Sequence, residues 1–71
     1  MPNSVYKIVE LVGTSPESWE KAAANAVSTA AQSLQDLRIA EVVDQDLQIE
    51  DDTSITYRVR LKLSFKYHTE A

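Results

Sequence analysis

The residues with the greatest capacity for chemistry lie between Asp44 and Asp52. The run Asp44-Gln45-Asp46-Leu47-Gln48-Ile49-Glu50-Asp51-Asp52 is rich in carboxylates at short spacing. Asp-x-Asp spacing opens many calcium loops. As an EF-hand the run fails, because Ile49 stands where the sharp turn needs glycine and Ile55 where a bidentate glutamate belongs. In a strand, Asp44 and Asp46 project to the same side, so they could share a hard cation with an outside ligand. The competing reading is cross-strand pairing with Arg58, Arg60 or Lys62. Exposed acids are common, and pairing is their ordinary fate.

The basic residues Arg58, Arg60, Lys62 and Lys66 alternate along a later stretch. Arginine matches phosphate geometry, but salt pairing with the acidic run or with another subunit is the simpler use. Catalysis finds little support. His68 is the single histidine and lies near the end of the chain, where a surface role outweighs a general base. Ser15 reads as a helix cap rather than a nucleophile, since no histidine stands near to activate it. Trp19 reads as a core anchor before a ligand stacker. One glycine makes neither a phosphate loop nor a dinucleotide fingerprint. The chain reads as a non-enzyme.

Composition narrows the class. The 71 residues make one domain, spanning residues 1–71, near the lower limit for a self-sufficient core. Cysteine is absent, so disulfides and thiolate metal sites are excluded and oligomerisation is the natural substitute. A net charge of −4 argues against nucleic acid or an anionic membrane as partner. No apolar run approaches the ~20 residues of a membrane span, and no basic start precedes an apolar run as in a signal peptide. A cytoplasmic location is expected.

Elements must position these groups. From Ile55 to His68 the odd positions are apolar or aromatic and the even ones polar, which is the alternation of a half-buried strand. Val5 to Val12 is β-branched and apolar in both phases, so it needs cover on both sides. Gly13-Thr14-Ser15-Pro16 is expected to end that strand, with Gly13 supplying an unusual backbone angle. Ser15 as N-cap and Pro16 at the first position open a helix predicted from Pro16 to Leu37. Its predicted apolar stripe is Trp19, Ala23, Ala26, Val27, Ala30, Leu34 and Leu37. Arg38 to Ile49 reads as a second strand with Ile39, Val43, Leu47 and Ile49 in one phase. The order β-α-β-β, closing in a hairpin, predicts an α+β fold. Its three-stranded antiparallel sheet, order 1-3-2, curls around one helix. Strands of ~43 Å exceed a helix of ~32 Å, so sheet remains uncovered and an oligomer is predicted.

The segments VYKIVELVGTSPESWEKAAANAV, RIAEVVDQD and ITYRVRLKLSF, in that order, resemble the dodecin family over nearly the whole chain. The resemblance implies a hollow homododecamer without catalysis that holds small molecules: flavin in many members, coenzyme A in some. In flavin binders a tryptophan stacks on the ring where this chain has Ile39, and a glutamine hydrogen-bonds it where this chain has Arg58. Asp44 and Gln45 match the family's Val-Val-Asp-Gln segment, while an acidic family position is Gln48 here. The implied flavin affinity is weak or absent. SPESWEKAAANAV, LRIAEVVDQDL and ITYR are still more similar to the calcium-dodecin branch. That likeness implies a cation site, with Glu17, Asp44 and Asp46 as candidate ligands. The alternatives are a flavin or coenzyme A store, and a structural assembly without specific ligand.

Overall fold

Alternation along the last long segment builds the centre of the sheet. The computed structural model describes residues 4–67. His68 lies outside the described residues. Strand β3 (Ile55–Lys66) lies between β1 (Tyr6–Ser15) and β2 (Leu37–Ile49), antiparallel to both, and helix α1 (Trp19–Ala31) crosses one face. The order is therefore 1-3-2, as the β-α-β-β pattern predicts. Val59, Leu61 and Leu63, three of the odd positions of β3, are buried under the helix. The even positions of β3 face the side opposite the helix, called the open face below.

The core is made of small residues against branched ones. Ala22, Ala26 and Ala30 meet Val59, Leu61 and Leu63, with Val9, Leu11, Trp19, Ala23, Val27, Leu34 and Leu37 packed around them. Ala22, 0% exposed, falls outside the predicted stripe. The cause is Gly13. It lies inside β1 with an ordinary backbone angle, not at a turn that needs a special one. A Cβ there would overlap the Ala22 carbonyl oxygen and stand 2.9 Å from Ala26 Cβ. The missing side chain lets the helix settle onto β1, and this rolls Ala22 into contact.

The helix is shorter than its apolar periodicity suggests. Ser18, not Ser15, is the N-cap: its backbone is extended and its Oγ accepts from the Lys21 N–H at 3.0 Å. Ser15 is buried, and its Oγ instead accepts from the Glu17 N–H at 3.0 Å, turning the chain toward the helix. At the other end, the N–H groups of Gln32 and Ser33 donate to carbonyls three residues back, a tightened last turn. Asp36 then takes a left-handed angle, φ 59°, and the chain leaves for β2. With 13 residues the helix covers only ~20 Å, so the mismatch with the sheet is larger than expected.

Candidate functional site

Strand β2 does not keep one phase. Its register against β3 slips between Leu37 and Ile39 and again between Val42 and Asp44. Each slip inserts one extra residue and reverses which side the following residues face. Ala40 and Val42 stand beside Leu63 and Leu61, the helix side. After the second slip Gln45 and Leu47 stand beside Val59 and Tyr57, again the helix side. Ile39, Val43, Leu47 and Ile49 therefore do not share a face, contrary to the simple alternation. The bulge at Val43 is what delivers Asp44 and Asp46 to the open face, beside Arg60 and Arg58.

There the acids and bases form a ladder. Arg58 donates to Asp46 through two nitrogens, Nε to Oδ1 at 2.8 Å and Nη2 to Oδ2 at 3.2 Å. One rung along, Arg60 Nη1 reaches Asp44 Oδ2 at 3.9 Å, while Asp44 Oδ1 accepts from the Gln45 N–H at 3.1 Å. The next rung aligns Glu10 and Glu41 on either side of Lys62. Together with Val12, the two Asp–Arg pairs line a shallow niche. The hydrogen bond from Arg58 holds the Asp46 carboxyl below its ordinary value, and Asp46 in turn raises Arg58.

The helix side of the same strands carries a different arrangement. Trp19 meets Tyr57 edge to face, with centroids 5.1 Å apart, and its Nε1 donates to the Asp46 carbonyl at 3.4 Å. Trp19 is thus the anchor its position suggests, and it ties the start of the helix to the acidic strand. The Tyr57 partner was hidden in the sequence among seven equivalent odd positions, with no feature to single it out. Beside the pair, Trp19, Glu20, Ala23, Val42, Gln45 and Val59 line a cleft of about 210 Å³.

The dodecin family model matches residues 5–68. The chain belongs to the dodecin family. Among dodecins it is 51% identical over 63 residues to calcium dodecin from Mycobacterium tuberculosis, covering 89% of each chain. It is similar to that organism's calcium dodecin crystal structure, described as a calcium-chelating immunodominant antigen with a novel calcium-binding site. The TM-score is 0.85 at 47% identity, covering 96% of this chain and 97% of the other. The dodecin of Streptomyces coelicolor superposes with a TM-score of 0.90 at 40% identity, covering 99% and 100%.

In this dodecin the residues named from the resemblance are spread along the sheet. Ile39 sits beside Ser64 and is 65% exposed. Arg58 is six positions from Ser64 on the same strand, or ~20 Å away. Asp44, Arg58 and Gln48 share the open face, Gln48 beside Thr56, whereas Gln45 lies on the helix side. Glu17 is paired with Lys21 at 2.8 Å, apart from Asp44 and Asp46. Among the described residues no three His, Cys, Asp or Glu side chains gather as a metal site. The donor chemistry of Asp44 and Asp46 suits a hard cation, but two carboxylates fall short of the six to eight oxygens calcium takes.

Proposed function

We propose that this dodecin is a non-enzymatic homododecameric shell that binds a hard cation, calcium foremost, between its subunits, and binds flavin weakly or not at all. The observation that carries the reading is the state of β2. Every residue of β2 after Leu37 is exposed in the single chain, including Ile39, Val42, Val43, Leu47 and Ile49. Apolar surface of that extent calls for cover, and the family supplies it by self-association. Subunit contact at β2 would bring oxygen donors of neighbours toward Asp44 and Asp46, with Glu17 as a further candidate. The 51% identity to a calcium dodecin supports calcium as the ion. Weak flavin binding is supported by an aliphatic Ile39, which offers no ring to stack, and by Arg58, whose fork is occupied by Asp46.

Calorimetric titration of the assembled protein with calcium tests the reading. Heat is expected in the wild type and is expected to fall strongly in Asp44→Ala. A wild type without heat leaves a shell with no calcium function.

A further inference from the structure

The β2–β3 hairpin outruns the rest of the molecule. Strand β1 ends at Ser15, beside Tyr57. Helix α1 begins at Trp19, against the same Tyr57, and runs back along β1 past Gly13. Beyond that row β2 and β3 continue alone through two more pairs, Gln48 with Thr56 and Ile49 with Ile55, before the turn between Glu50 and Ser54. This finger has an apolar side and a charged tip. Ile49 and Ile55 stand opposite each other, on the helix side by alternation from Leu47 and Tyr57, and are 72% and 42% exposed. Glu50, Asp51 and Asp52 follow at once, and residues 47–57 hold no cation.

The opposite end of the sheet is its complement. There residues 5–8, 36–39 and 64–67 carry Lys7, Arg38 and Lys66 against one carboxylate, Asp36. Val27, Leu37, Arg38, Ile39, Ala40 and Leu63 line a cleft of about 190 Å³ between α1 and β2. Its walls are aliphatic, and the charge it carries is a guanidinium. The cleft beside Trp19 is of similar size but carries the carboxylate of Glu20. An isoleucine pair followed by acids suits the Arg38 cleft and is repelled by the other. Finger against finger fails for the same reason, because three carboxylates would meet three. We propose that the finger of one copy docks in the Arg38 cleft of a second copy, with Ile49 and Ile55 in the aliphatic slot and the tip carboxylates toward Arg38. The two surfaces lie at opposite ends of a 55 Å chain, so no copy satisfies itself. The contact is heterologous and passes from copy to copy until it closes a ring. It rests on the self-association read above and adds which surfaces meet.

Introduced thiols report this contact directly, because the chain has no cysteine of its own. Ile49→Cys and Ala40→Cys replace side chains that are exposed in the single chain, so the core is untouched, which a thermal melt of each checks. The double variant, oxidised with diamide, is expected to give covalent species of three or more subunits on a non-reducing gel. Each single variant is expected to stay unlinked. Adding Arg38→Glu to the double variant should lower the linked fraction about tenfold, the effect of a like charge facing the tip. Adding Asp51→Arg as well should restore most of it. Dimers from either single variant would place like surface on like and overturn the proposal. So would an assembled double variant that does not link, or an Arg38→Glu chain that links as readily as its parent. In those cases the assembly itself stands. A wild type that is monomeric by native mass spectrometry overturns both.

Discussion

At Asp46 the hydrogen bond from Arg58 lowers the carboxyl pKa. Desolvation, second in size, opposes it, and the charges of Arg58 and then Arg60 add to the lowering. A carboxyl depressed on folding stabilises the fold above its unfolded value and loses that contribution as pH falls through its folded value. The window therefore opens below the ordinary aspartate value of 3.8. Wild type is expected to melt slightly above Asp46→Asn at neutral pH. The two melting curves should converge on acidification below that value, which a pH series of thermal melts would show. Asp52 is depressed too, by hydrogen bonds from the Ser54 hydroxyl and N–H, but it is common to both proteins and cancels. Residue scale also governs flavin. Ile39→Trp with Arg58→Gln restores an aromatic platform and an uncharged partner. It should raise flavin affinity about two- to tenfold, following the ~0.5–1.5 kcal/mol of an aromatic stack. Fluorescence quenching measures it, and an unchanged affinity would show that these two positions do not face one flavin. The Asp–Arg pairing was legible in the sequence because acid and base alternate on successive segments. That Gln45 would part from Asp44 was also implicit, since neighbours in a strand face opposite ways.

At the scale of elements, the contact of α1 with β1 depends on one missing side chain. In Gly13→Ala the new Cβ would overlap a backbone oxygen of the helix, which has no rotamer to move away. Helix and sheet would have to separate, at a cost of about 1–3 kcal/mol, visible as a lower melting temperature. Sequence reading found the strands, the helix and their order, because odd–even and three-to-four periodicities differ so plainly. It placed the helix start three residues early, since both Ser15 and Ser18 are competent caps and only the fold buries Ser15. It ran the helix past Ala31 because Leu34 and Leu37 continue the apolar spacing, although they pack on the core from outside the helix. The helix face was misjudged at Ala22 for a related reason. How deep an alanine lies depends on the distance between layers, and Gly13 decides that distance from a remote part of the chain. The slips in β2 left no mark in composition, because a bulge residue such as Val43 is an ordinary strand residue.

At the scale of the molecule, the chain is elongated, 55 × 20 × 15 Å, with a sheet far longer than its helix. Such a body buries little apolar surface alone. Light scattering at micromolar concentration is expected to report an assembly, twelve subunits on the family reading, and native mass spectrometry would count them. A folded monomer would remove the shell and every site placed between its members. The second bulge has a last consequence. Leu61 and Arg60 are consecutive on β3 and pair with Val42 and Asp44, so Val43 is surplus to the ladder. Excising it would leave each charged rung intact and take away only the local bend. Curvature and surface chemistry are thus separable by a single codon. A Val43 deletion that keeps the acid response yet no longer closes into a particle of defined size would assign the bend to architecture and the rungs to recognition.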